Sequence, residues 1–164
     1  MIRTTAALLV LLPITLAMAG ETDLGELVEI EMTAIEGFTV IGMEYVGSNP
    51  EDVVALWEEF VQRIDEIPGV EMEDDGYGVI LGYDMLSGDF SYMACVESDM
   101  TGPIPDGMRE LGIPEGEYAV FTFPFDNLDE IYGYVYDEWL PQSEYSHGEG
   151  YNYEYYPAEF IPSE

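Results

Sequence analysis

Apolar residues recur at helical spacing in two stretches of the chain. In the first, Val53, Leu56, Trp57, Phe60, Ile64 and Ile67 share one helix face, with Glu58, Glu59, Gln62, Arg63 and Asp65 opposite. Asn49 as N-cap, Pro50 at the first helical position and the acids Glu51 and Asp52 mark its start, and Pro68-Gly69 marks its end. The second helix is predicted from Asp126 or Asn127. Leu128, Ile131, Tyr132, Val135, Tyr136 and Trp139 form its stripe, and Pro141 is expected to stop it.

Strand patterns surround these helices. Glu26–Thr33 and Phe38–Val46 are linked through Glu36-Gly37. Tyr77–Tyr83 and Phe90–Glu97 flank a Ser87-Gly88-Asp89 turn, which predicts a hairpin. Met108–Ile113 and Tyr118–Phe123 meet across Pro114-Glu115-Gly116, and Tyr151–Tyr156 follows the second helix. The order repeats: Glu36-Gly37-Phe38-Thr39-Val40 is similar to Glu115-Gly116-Glu117-Tyr118-Ala119-Val120, and each leads through a turn to a helix. The fold class is therefore α+β, with duplicated strand–strand–helix–strand units forming one antiparallel sheet and both helices packed on one face. The other face, or the groove between the halves, is expected to be free for a ligand.

Met1–Ala19 has a different character. Arg3 precedes an apolar run, Ala6–Leu16, broken only by Pro13 and Thr15, and Ala17-Met18-Ala19 has the small-x-small form of a signal-peptidase site. The run is shorter than the roughly 20 residues of a membrane span. The expected organisation is a signal peptide (1–19), an acidic linker (20–26) and one domain (27–164), exported to the periplasm or the extracellular space after cleavage near Ala19. The alternative is an uncleaved anchor.

Charge then narrows the function. Thirty-five Asp and Glu face three Lys and Arg, a formal charge of −32. Proteins bind nucleic acid by neutralising phosphates with Lys and Arg, so nucleic acid is excluded as a partner. Anionic membrane surfaces are excluded for the mature form by the same sign argument. A chain 48% hydrophobic and 13% aromatic can build a core, unlike acidic disordered chains. Self-repulsion at this charge destabilises the compact state in dilute buffer. Salt relieves it, because the Debye length shrinks from about 10 Å at 0.1 M to about 3 Å at 1 M. An acidic, lysine-free surface thus suits a halophilic setting, and the expected species is a monomer.

Candidate chemistry is sparse. Cys95, the single cysteine, lies in an apolar strand and reads as a small buried hydrophobe. The Glu71–Asp75 acids lack the spacing of a calcium loop and read as a solvated turn. Ser143 and His147 share a loop without a third orienting group, which makes weak support for nucleophilic catalysis. No metal and no cofactor is expected. Thirteen tyrosines carry more information, since each buried hydroxyl wants a partner. In Tyr151–Tyr156, alternation puts Asn152, Glu154 and Tyr156 on one face and Tyr151, Tyr153 and Tyr155 on the other. An acid flanked by aromatics suits a cationic or aromatic ligand. An edge strand with a solvated Glu154 fits the same pattern.

From about Ile30 to Tyr156 the chain resembles the GyrI-like small-molecule-binding domain, the effector-binding domain of AraC-type and multidrug-sensing regulators that is also found alone. The resemblance is carried by Phe38-Thr39-Val40-Ile41-Gly42, Leu56-Trp57-Glu58-Glu59-Phe60, Tyr77-Gly78-Val79 and Phe90-Ser91-Tyr92-Met93-Ala94-Cys95-Val96-Glu97. It continues through Ile104-Pro105-Asp106-Gly107-Met108, the stretch from Ile113 to Phe121, Asp137-Glu138-Trp139-Leu140-Pro141-Gln142-Ser143 and Tyr153-Glu154-Tyr155-Tyr156. It implies a duplicated two-layer fold with an aromatic pocket and a glutamate on the last strand that recognises cationic or polar ligands. That glutamate matches Glu154, with Trp139, Tyr156, Tyr92 and Tyr118 as its aromatic neighbours. Some relatives resemble hydrolases that use the same acid, so an enzyme with Glu154 as general base is the alternative to a pure binding domain. A third reading is an envelope protein that acts through protein contacts. No helix-turn-helix is read ahead of the domain, so no transcriptional or gyrase-related role is carried over.

The surface reading has a direct check. The melting temperature is expected to climb steeply between low and molar KCl, whereas a flat profile would remove the saline interpretation.

Overall fold

Two links of two residues each determine the shape of the sheet. The computed structural model describes residues 7–16, 28–99, 101–124 and 128–158. Its strands are β1 (Ala7–Leu16), β2 (Glu29–Ile35), β3 (Phe38–Gly47), β4 (Gly76–Tyr83), β5 (Phe90–Glu97), β6 (Arg109–Ile113), β7 (Gly116–Pro124), β8 (Tyr145–His147) and β9 (Asn152–Tyr156). They form one antiparallel sheet in the order β2-β7-β1-β9-β4-β5-β3-β6, with β8 on β1. The links 36–37 and 114–115 were expected to join neighbours. Instead β2 pairs with β7, Ile35 opposite Gly116, while β3 pairs with β6, Phe38 opposite Ile113. Consecutive strands therefore lie toward opposite ends of the sheet, and links so short force those ends to curl together. At the crossing, a Cβ on Gly37 would stand 3.2 Å from the Glu115 nitrogen.

Curling fills the face that the sequence left open for a ligand. Val40, Val79, Met93, Cys95, Ile113, Tyr118, Val120 and Tyr153 form a buried cluster inside the curl, bordered by Phe38 and Tyr77. Its rings meet edge-on or tilted, Tyr153 lying 5.7 Å from Tyr118, 5.9 Å from Phe38 and 6.0 Å from Tyr77. Cys95 is fully buried here, its Sγ–H on the Tyr77 carbonyl at 3.3 Å, and burial pushes the thiol pKa well up. It is an inert core residue, as its apolar strand suggested.

Both helices pack on the outer face. Helix α1 (Glu51–Arg63, followed by a 3-10 turn, Ile64–Glu66) lays Leu56, Phe60 and Ile64 on Ile41, Ala94 and Val96. The Asn49 side chain accepts the Glu51 N–H at 3.2 Å, the capping role its position suggested. Helix α2 (Leu128–Gly133) sets Ile131, Val135 and Trp139 of its stretch against Ala119, Phe121 and Phe123. Its predicted start at 126–127 lies outside the described residues. Pro141 does not stop it. Tyr134–Trp139 is a π turn, in which Leu140 N–H reaches the Val135 carbonyl, and the helix continues through Leu140–Gln142. The wider turn displaces the carbonyls that a proline ring would otherwise strike. Ser143 then closes the end, its N–H on the Trp139 carbonyl at 2.8 Å.

Register shows that the two helices share a face. Gly78 is opposite Glu154, Glu154 opposite Val10, and Val10 opposite Phe121, so the Phe121 face under α2 is continuous with the Gly78 face under α1. The sheet order is also pseudo-symmetric about the β9–β4 seam. The series β4-β5-β3-β6 with α1 mirrors β9-β1-β7-β2 with α2. Each half borrows an outer strand from the other's sequence, β6 on the first and β2 on the second. The apolar run read as a leader supplies β1 of the second half, while Ala17–Ala19 and the 20–26 linker lie outside the described residues.

Candidate functional site

Where the halves meet, a carboxylate is buried. Glu154 on β9 is 5% exposed and faces the helices together with Tyr156, with which alternation in Tyr151–Tyr156 had grouped it. Three phenols donate to it: Tyr92 (β5) at 2.8 Å and Tyr156 (β9) at 2.7 Å to Oε2, and Tyr132 (α2) at 2.7 Å to Oε1. Trp57 of α1 extends the network, donating its indole N–H to the Tyr92 hydroxyl at 3.0 Å and standing edge-on to Tyr156 with centroids 5.1 Å apart. Strands β5 and β9 and both helices contribute side chains. β4 contributes space. A Cβ on Gly78 would lie 2.6 Å from the Tyr92 Cζ and 2.7 Å from the Glu154 Oε2, and one on Gly76 would meet the Trp57 ring at 3.3 Å.

An isolated buried carboxylate costs several kcal/mol, and hydrogen bonds to its charged form offset part of that cost. Here burial raises the Glu154 pKa above its ordinary 4.5, opposed by donation from Tyr156, Tyr132 and Tyr92. The same burial, with the Glu154 charge, drives the three phenols well above 10, so they remain O–H donors.

The residues proposed from sequence fall in three places. Glu154, Tyr156 and Tyr92 come together. Trp139, 6% exposed, packs its ring against Phe121 (4.9 Å, 89°) and stacks on Tyr145 (5.9 Å, 14°), within a cluster that Tyr156 borders. Tyr118 points into the curl, away from Glu154, and donates to the Pro114 carbonyl at 2.8 Å. Strand alternation dictates this, because its neighbour Ala119 faces the helices. Tyr132, Trp57 and Gly78 were not proposed as site residues. Tyr132 and Trp57 were read as apolar stripe members, and Trp57 and Gly78 as carriers of the family resemblance, although each of the two rings has a polar tip.

The other candidates are occupied structurally. Ser143 Oγ caps the helix through the Leu140 carbonyl at 2.9 Å, and His147 Nε2 pairs with Asn152 Oδ1 at 2.9 Å, so neither orients the other. Asp74, Asp75, Tyr77 and Glu97 line an open cleft of about 270 Å³. Its Asp75 is taken up by the Tyr155 hydroxyl at 2.6 Å and the Ala158 N–H at 2.9 Å. Among the described residues no cluster of His, Cys, Asp and Glu is placed to hold a metal, and no helix is long and apolar enough to cross a membrane.

The described fold is therefore two mirrored α+β halves that meet at a buried, tyrosine-bound carboxylate. The chain belongs to the GyrI-like small molecule binding domain family, whose model matches residues 28–161. It is 34% identical over 126 residues to the transcriptional regulator BrlR of Pseudomonas aeruginosa, a match covering 75% of this chain and 46% of that protein. The chain thus spans under half the length of that regulator. Among solved structures it is similar to EcmrR in a complex with DNA (TM-score 0.56, 12% identity, 80% of this chain and 57% of that one). It is also similar to SAV2435 bound to tetraphenylphosphonium (TM-score 0.49, 14% identity, 79% and 93%).

Two outcomes follow from this geometry. Gly78→Ala is expected to cost about 1–3 kcal/mol in denaturant melts through overpacking, whereas Gly82→Ala, with open space around it, stays near parental. A parental melt for Gly78→Ala would refute the close approach. The second concerns pH. A carboxyl with a raised folded pKa holds a proton that the unfolded chain has released. Its contribution to stability is therefore lost as pH rises from about 4.5 through the folded value. Glu154→Gln should flatten the fall of melting temperature with pH above 4.5, and an unchanged slope would count against an ionisable buried Glu154.

Proposed function

We propose that this domain takes a cationic, aromatic small molecule at Glu154, with Tyr92, Tyr132, Tyr156 and Trp57 as the surrounding surface. The observation that carries the reading is a carboxylate withdrawn from water into a shell of four aromatic side chains from both halves. Ring faces attract cations, and a desolvated carboxylate attracts them more strongly than any exposed acid. The phenol hydroxyls satisfy the carboxylate while the site is closed. A ligand cation enters by replacing some of those donors with its own charge, which requires Trp57 or a tyrosine to move aside. Trp139 acts from behind Tyr156, as core of the second half, rather than as a stacking surface. Tyr118 supports β7 from inside the curl.

A hydrolase would need a water poised on the carboxylate as its general base. Three phenols already occupy both oxygens, so the geometry favours capture over bond cleavage.

The test is calorimetric titration with tetraphenylphosphonium, a permanent cation with no hydrogen-bonding groups, in molar KCl to screen the surface. Glu154→Gln is expected to weaken binding about tenfold or more, as removal of one partner of a buried charge pair does. The exposed Glu149→Gln should leave it within error. Equal losses would reduce the reading to general attraction by an acidic surface, and the absence of binding by the parent chain would reject this ligand class.

A further inference from the structure

The sheet's pseudo-symmetry gives the apolar N-terminal run a place that its composition does not suggest. In the first half, the strand between β4 and β3 is β5, which follows β4 through the Asp84–Asp89 turn. The mirrored position in the second half lies between β9 and β7. By analogy its occupant would follow β9. It is instead β1, from the other end of the chain. β1 runs antiparallel to both neighbours, as β5 does, with Leu8–Pro13 opposite 118–123 of β7 and Leu9–Leu11 opposite 153–155 of β9. Its last residues, Ile14–Leu16, pair with β8. Proline normally excludes a central strand, because its nitrogen cannot donate to the ladder. Pro13 is opposite Tyr118 at the end of the β7 pairing and lies between the residues paired with β9 and those paired with β8, so one of its two flanks has no ladder to interrupt.

We propose that the space between β7 and β9 is a strand-acceptor site, and that Ala7–Leu16 is its occupant, a complementing strand on which the second half of the sheet depends. Without a strand there, two rows of backbone N–H and C=O groups would face each other across a gap one strand wide, and unpaired edges of this kind are templates for an added strand. The partner such a site fits is an extended apolar segment that supplies main-chain hydrogen bonds on both sides, the chemistry of β-strand addition. The inference contrasts with the leader reading, because a discarded leader would leave the slot open. It stands independently of which ligand Glu154 takes.

The experiment uses the full chain, with a protease site introduced within residues 20–26, folded in molar KCl and then cut. The N-terminal fragment is expected to co-elute with the domain on size exclusion. Amides of 118–123 and 153–155 should stay protected from hydrogen exchange until denaturant releases the fragment. In the uncut chain, Leu11→Pro removes an N–H at a position paired to both Val120 and Tyr153. It should lower protection in β7 and β9 by about tenfold or more, the equivalent of one lost backbone hydrogen bond. A fragment that elutes freely while those amides keep their protection would overturn the proposal, as would parental exchange in Leu11→Pro.

Discussion

Everything at the centre of this molecule depends on keeping one carboxylate out of water. Glu154 has no cationic partner within the described network. Its charge is met by three phenol donors, and a dry carboxylate with fewer donors would be expensive. The donors come from β5, α2 and β9, so satisfying the carboxylate requires both halves to be folded and in register. The bare glycines of β4 are part of the same requirement. They let Tyr92 of the first half reach across to a glutamate of the second, and Trp57 reach the Tyr92 hydroxyl and the Tyr156 ring.

The curl of the sheet keeps this arrangement in place. Because β2–β3 and β6–β7 are joined by only two residues yet belong to opposite ends, the halves cannot separate without breaking the crossing. The interior of the curl, filled by Tyr118, Tyr153, Met93 and their neighbours, is consequently a packed core. The other face of the sheet carries the helices. Glu154 is on that face and Tyr153 on the other, and a one-residue register slip in β9 would exchange them.

Some of this was legible in the sequence and some was not, for physical reasons. Helical period located the body of both helices. Alternation in Tyr151–Tyr156 placed Glu154 and Tyr156 together, because strand geometry is local. Strand partners are not local. A two-residue link reads as a hairpin whether its strands pair or part, so the exchange of β2 and β6 between halves was hidden, and with it the filling of the inner face. Tyr118 was misplaced relative to Glu154 for a related reason: alternation fixes Tyr118 against Ala119, but only the fold says which of them faces the helices. Trp57 and Tyr132 were hidden by their own period. An amphipathic stripe accounts for their rings and leaves their polar tips unexplained, and a buried acid nearby is the signal that gives those tips a partner. Pro141 failed as a stop because a π turn, set by packing rather than by propensity, accommodates it.

The strong negative charge and the one buried acid act on different scales. Surface acids in water interact with a ligand through a dielectric near 80, and at molar salt their reach is about 3 Å. They favour solubility and attract any cation without distinction. Glu154 lies behind aromatic rings, where neither water nor salt screens it. For the cation proposed at Glu154, discrimination would fall to the shape of the shell, and that shape is assembled from both halves of the sheet. Under that proposal, selectivity would be a property of how the two halves are held in register, through β9 and the strand beside it, rather than of the charge on the surface.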